Sequence, residues 1–146
     1  MTQKDKELLL KDLCARLPYK VKCNALLKQI DGSLKSVFGS FKGYDGFATV
    51  GNNLVDIETV RPYLRPMSSM TDEERDELWH LSEEYFGKAI DKQIEESLSS
   101  SDRNESEILE YIASSVIVDW LNVHHFDHRG LIEKDLALEA PEGMYI

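Results

Sequence analysis

The chain has 146 residues, with 17 Lys and Arg against 27 Asp and Glu, and a formal charge of −10. Its apolar content of 42% can build a core, which excludes a disordered chain, while apolar runs of at most three residues exclude a spanning helix. Lys4, Asp5, Lys6, Glu7, Lys11 and Asp12 break up the start, which does not read as a secretory signal, and two cysteines are too few for a disulfide scaffold.

From Lys4 to about Leu13 the pattern predicts a short helix, with Leu9, Leu10 and Leu13 on one face and Leu8 at its edge. Pro18 stops it. Beyond Pro18 the period changes to two: Tyr19, Val21, Cys23 and Ala25 alternate with Lys20, Lys22 and Asn24, as in a half-buried strand. Asp31-Gly32, Asp45-Gly46 and Gly51-Asn52-Asn53 are turn signals. They separate the short β-like segments Leu34–Phe41, Phe47–Val50 and Leu54–Val60, and Gly39 and Gly43 suit a bend or bulge. Cys14 and Cys23 read as small hydrophobic groups.

Pro62 and Pro66 bracket Tyr63, Leu64 and Arg65 in what reads as a stiff connector. Thr71 with Glu74 is a capping-box pattern, and Asp72, Glu73 and Glu74 suit the positive end of a helix. Leu78, Leu81, Tyr85, Ala89/Ile90, Ile94 and Leu98 carry the helical period onward until Ser97–Asn104 interrupts it. Asp102 or Asn104 can cap a second helix bearing Ile108, Tyr111, Ile112, Val116, Trp120 and Val123. The tail, Leu131–Ile146, holds enough apolar residues to predict that it docks rather than hangs free.

Charge is unevenly spread along these elements. Residues 1–70 hold 11 basic and 7 acidic residues, a net of +4; residues 71–119 hold 4 and 15, a net of −11; residues 120–146 contribute −3. Lys20, Lys22, Lys35 and Lys42 therefore offer a basic sheet face for nucleic acid, though lysines also protect the edges of ordinary sheets. The string His124-His125-Phe126-Asp127-His128-Arg129-Gly130 is the most suggestive chemically. On a continuing helix His124 and His128 share a face, Asp127 is a third ligand, and His80 on the preceding helix is a fourth. The competing reading is a helix end, with His at the negative terminus and Gly130 at the left-handed cap. No nucleophile elbow, phosphate loop or dinucleotide fingerprint accompanies the cluster, so no cofactor is expected.

The strings Leu13-Cys14-Ala15-Arg16-Leu17-Pro18-Tyr19, Pro62-Tyr63-Leu64-Arg65-Pro66-Met67-Ser68-Ser69-Met70-Thr71, Asp119-Trp120-Leu121-Asn122 through His125 to Ile132, and Leu136 to Tyr145 resemble short uncharacterised proteins of gut Bacteroidetes associated with prophages or other mobile elements. The resemblance implies an origin and assigns no activity. Such proteins often carry Tyr at the position of His128, which weighs against a metal site there.

Together these features predict an α+β protein. A short N-terminal helix and a small antiparallel sheet or partial barrel of about four strands fill residues 1–62. A connector follows at 63–70, then an acidic helical hairpin with a docked tail at 71–146. The expected role is a cytoplasmic, non-enzymatic accessory or regulatory protein that binds a protein partner or its own copies, with Tyr63, Arg65, His124, His125, Phe126 and Arg129 as contact candidates. A nucleic-acid module on the lysine face and a metal-dependent hydrolase using His80, His124, Asp127 and His128 are the alternatives.

Overall fold

The computed structural model describes residues 1–99 and 105–145. Helix α1 (Gln3–Ala15) begins with a capping box: Thr2 accepts from the Asp5 amide, and Asp5 accepts from the Thr2 amide. It buries Leu9, Asp12 and Leu13 on one face. A 3₁₀ turn at Leu17–Tyr19 follows, with Pro18 in its first positions and Lys20 left-handed at φ 55. The strand therefore starts at Lys22 rather than Tyr19, because the proline-set turn occupies the first residues of the alternating segment.

The sheet is a meander of β1 (Lys22–Lys28), β2 (Leu34–Asp45), β3 (Phe47–Val50) and β4 (Asn53–Val55). A 3₁₀ turn at Ile57–Thr59 then returns the chain to the free side of β1, where β5 (Arg61–Leu64) pairs antiparallel. The order is β4-β3-β2-β1-β5-β6, with β6 (Leu138–Glu139) parallel to β5, so the sheet is mixed and stays open. Pro62, expected in a connector, lies in β5 opposite Cys23.

Side chains alternate in burial along the first half of β1 and along β3 and β5, less regularly along β2. Cys23, Ala25, Phe41, Ala48, Val50, Val55 and Leu64 point inward and share one core with Leu9 and Leu13 of α1 and with Leu131, Leu136 and Ala137 of the tail. Burying each of the larger side chains contributes about 1.5–3 kcal/mol. Cys23 is part of that core, whereas Cys14 is exposed on α1. The register slips between Phe41 and Gly43, and Gly43 takes φ +150, so the expected bulge forms where β2 turns from β1 toward β3.

The chain divides into two compact units, residues 1–67 with 122–146, and residues 68–121. The tail thus packs with the sheet instead of ending a helical domain, because backbone pairing draws it there. Arg65 and Phe126 form a parallel bridge, and the Ala140 amide donates to the Leu64 carbonyl at 2.7 Å. The second unit holds α2 (Asp72–Ser99) and most of α3 (Glu105–Val123). The capping box at its start is present: the Glu74 amide donates to Thr71 Oγ1, and the Thr71 amide donates to Glu74 Oε1, both at 3.1 Å. Trp120 Nε1 donates to Glu77 Oε1 at 3.2 Å, which sets the end of α3 beside the start of α2 as an antiparallel hairpin requires. The expected caps Asp102 and Asn104 lie outside the described residues, as do the side chains of the helical stripes from Ala89 to Ile112.

Gly39 has no room for a side chain against Gly51. A Cβ there would sit 2.8 Å from both the Cα and the amide nitrogen of Gly51, whose own φ is +61. Neither atom belongs to a flexible side chain, so the backbone itself would have to move. Gly39→Ala is expected to lower unfolding free energy by about 2 kcal/mol, within the range for steric core substitutions, read as a lower urea midpoint.

Candidate functional site

Two features of the sheet unit concentrate unusual chemistry: a buried polar junction beneath the sheet and an exposed apolar face above it. The junction is built on Asp12, which sits on the inward stripe of α1 and is fully buried. Arg16, one turn later and equally buried, donates from Nε to Asp12 Oδ2 at 2.9 Å and from Nη2 to Oδ1 at 3.0 Å. This is the paired geometry that suits a guanidinium to a carboxylate. Nη2 also donates to the Phe126 carbonyl at 2.6 Å, and Arg129 Nη1 reaches Asp12 Oδ1 at 2.7 Å. One carboxylate therefore holds two arginines from opposite ends of the chain.

The ring extends outward from Arg129. Its Nη1 donates to Asn122 Oδ1 at 3.3 Å, and His128 Nε2 lies 2.8 Å from the same oxygen. An amide oxygen only accepts, so His128 carries its proton on Nε2. Asp127 is occupied differently: Oδ1 accepts from the Leu131 amide at 2.8 Å and Oδ2 from the Ile132 amide at 3.0 Å. Its carboxylate caps the turns that bring the tail in.

The helix ends before the histidines. α3 stops at Val123, and His125 takes the left-handed position next to the helix end, φ 61; Gly130 is also left-handed, φ 73, but lies five residues further on. Continuation to His128, the premise of the i, i+4 pair, does not occur. Backbone pairing explains it: the Arg65 amide donates to the His125 carbonyl and the Asp127 amide to the Arg65 carbonyl, both at 2.8 Å, so the segment runs extended beside Arg65. Among the described residues no group of three His, Cys, Asp or Glu side chains is placed to hold a metal ion. His80 lies in the helical unit, its ring 3.9 Å from Glu83 on an exposed stretch of α2.

The contact candidates divide sharply by exposure. Phe126 is fully buried, with the Arg65 guanidinium 4.2 Å over its ring, and His125 is 5% exposed. Expected as exposed anchors, both are interior because the junction closes over them. Arg129 and Arg65 are likewise committed to the junction, and His124 is half-buried. Tyr63 keeps its ring on the outer face, while its carbonyl accepts from the Tyr145 hydroxyl at 2.7 Å. That hydroxyl also accepts from the Lys22 amide at 2.9 Å, so Tyr145 fastens β5 to β1. Its ring stacks on His125 at 3.8 Å. Asp12, Arg16 and Tyr145 are the site residues that sequence reasoning missed; a tyrosine in an apolar terminus is the only available signal for the last.

Burial sets the protonation of these groups. Desolvation first, then the charges of Arg16, His124 and Arg65, pull His125 from 6.5 to about 4. Desolvation, with Arg129 and Arg16, brings His128 to about 4. Burial, reinforced by Asp12, pushes the Cys23 thiol up to about 12, which leaves it protonated and unreactive. Arg16 Nη1 and His125 Nδ1 are buried without a hydrogen-bond partner among the described residues.

The outer face of the sheet is the opposite kind of surface. Register places Lys22, Asn24, Leu26 and Lys28 of β1 opposite Ser40, Phe38, Ser36 and Leu34 of β2, with Arg61 beside Asn24. Phe38 and Tyr63 form a tilted ring pair at 5.9 Å. Leu34, Phe38, Phe47 and Leu54 are each more than half exposed. Of the lysines expected to share a face, Lys22 lies here, bonded to Ser40 Oγ at 3.0 Å. Lys35 pairs with Leu27 on the other side, Lys42 falls in the bulge, and Lys20 lies in the turn before β1. No protein-family model, curated protein or solved structure matches the chain. Among the described residues no helix is long and apolar enough to cross a membrane.

Two outcomes test the junction. Asp12→Asn leaves Arg16 buried without its counter-charge and is expected to cost about 3–5 kcal/mol in denaturant unfolding. Because His125 and His128 have folded values near 4 against an ordinary 6.5, the folded state binds fewer protons than the unfolded one. Their contribution is complete above 6.5 and is lost as pH falls toward 4; a urea midpoint that declines across that window, and less steeply in His125→Phe, checks it.

Proposed function

We propose that the protein is a non-enzymatic accessory module that works in the cytoplasm by binding another protein through the outer face of its sheet. The observation that carries this reading is the exposure of Leu26, Leu34 and Phe38 together on the outer face of β1 and β2, whose opposite face carries the core residues Cys23, Ala25 and Phe41. Apolar side chains grouped on a surface and bordered by polar groups mark interaction sites. Here Ser36, Ser40, Asn24, Lys22 and Arg61 form the border. The aliphatic share of the face favours a protein over nucleic acid, since leucines offer no stacking plane for bases. The junction is architectural in this reading: it holds the chain that supports β5, and its Asp12 carboxylate is occupied by Arg16 and Arg129. A mobile-element origin accords with an accessory role of this kind.

A photo-reactive residue at position 38 is expected to cross-link in cells to one protein of defined mass. The same probe at Lys11, exposed on α1, is the control. Leu34→Glu should abolish the adduct. Adducts with nucleic acid, or none above the control, would overturn the reading.

A further inference from the structure

The partner that best fits the sheet face is present in the chain itself. We infer that the outer face of the sheet in one copy receives the exposed acidic flank of α2 in a second copy. This rests on the sheet face being a protein-binding surface and adds what binds there.

The flank is defined by helical spacing. Asp72, Asp76, Trp79 and Glu83 lie four, three and four residues apart, which places them in one row along α2. All four are exposed, Asp72 to 97% and Glu83 to 65% of their side chains, and Trp79 to 66%. A tryptophan left this open on a helix is unusual, because its large apolar ring gains most from burial. Trp79 also lines a groove of ≈ 270 Å³ with Met70, Arg75, Leu78, Ser82 and Ile117; Arg75, the one cation there, is 3.6 Å from the Asp72 carboxylate, and Asp76 and Glu83 keep the row acidic.

The sheet face supplies the complement in both respects. Its charged groups around Phe38 are Lys22, Lys28 and Arg61, all basic, and its apolar groups are Leu26, Leu34, Phe38 and Tyr63. A single aromatic anchor between carboxylates thus meets an apolar surface between cations, the arrangement that fixes orientation through charge and affinity through the buried ring. Phe38 is 55% exposed in the single chain, so a second copy can reach it.

The two surfaces are different patches, so the contact is head-to-tail. Such contacts leave one free sheet face and one free helix flank at the ends and extend unless geometry closes a ring. The overall charge of −10 repels copies at low ionic strength. At about 0.15 M salt the screening length of ~8 Å removes most of that long-range repulsion while close ion pairs persist.

Sedimentation equilibrium of the full chain at that ionic strength, over low to high micromolar concentration, tests the inference. The wild type is expected to gain mass with concentration. Phe38→Glu and Trp79→Ala should each weaken association about tenfold or more. Their mixture is the decisive sample: Trp79→Ala keeps an intact sheet face and Phe38→Glu an intact helix flank, so together they should form a one-to-one dimer that grows no further. Lys28→Glu on the same face provides the same loss if Phe38→Glu fails to fold. A wild type that stays monomeric overturns the inference, as does an association that Trp79→Ala leaves unchanged. A cross-link from position 38 to a different protein, with the wild type monomeric, would sink self-association and leave the sheet-face reading standing; a nucleic-acid adduct would remove both.

Discussion

The Asp12 carboxylate, shared between Arg16 and Arg129, is the interaction on which the arrangement of the sheet unit depends. Arg16 lies four residues away on the same helix, so that half of the contact is local. Arg129 comes from 117 positions along the chain and brings the segment after α3 with it. Burying an aspartate and an arginine without each other is prohibitively unfavourable, and burying them together only offsets the desolvation. The triad therefore contributes placement more than stability: with residues 122–129 in this position both Asp12 oxygens are bonded and Asn122 Oδ1 meets Arg129 and His128.

That placement propagates by backbone pairing. Once Phe126 lies beside Arg65, its ring fills the space under the Arg65 guanidinium, and Asp127 is positioned to cap the turn at Leu131 and Ile132. The turn carries Leu131, Leu136 and Ala137 into the core, and Tyr145 then links β5 to β1 through its hydroxyl. The histidines that look most chemical in the sequence are absorbed into this construction. His125 and His128 are neutral because desolvation, reinforced by nearby arginines, lowers their pKa values, which suits a structural role.

What the junction leaves unoccupied is the other side of the sheet. The same alternation that packs Cys23, Ala25 and Phe41 inward turns Leu26, Leu34 and Phe38 outward. A sheet covered on one face normally presents polar residues on the other. Here leucine and phenylalanine stand among three cations, while the acidic α2 carries an exposed Trp79. The charge asymmetry along the chain thus coincides with two exposed apolar features: Leu26, Leu34 and Phe38 in the basic half and Trp79 in the acidic half.

The sequence by itself determined the elements whose causes are local. Leu9 and Leu13 at helical spacing, Thr71 with Glu74, the strand Phe47–Val50 between two glycine turns, and the bulge at Gly43 all rest on interactions within a few residues. Local signals also suggested the wrong start for β1, since Pro18 and an alternating pattern compete for Tyr19, and only the folded chain shows the turn prevailing. Tertiary structure alone decided the rest. Nothing near Pro62 announces that it joins β1 as a strand, because the pairing partner is Cys23, 39 positions earlier. Nothing near His124 announces that α3 stops there, because the cause is the backbone of Arg65. Asp12 reads as one more acid on a charged helix until Arg129 arrives. Each of these outcomes depends on a partner distant in sequence, and such contacts form only where the hydrophobic core has already brought the segments together.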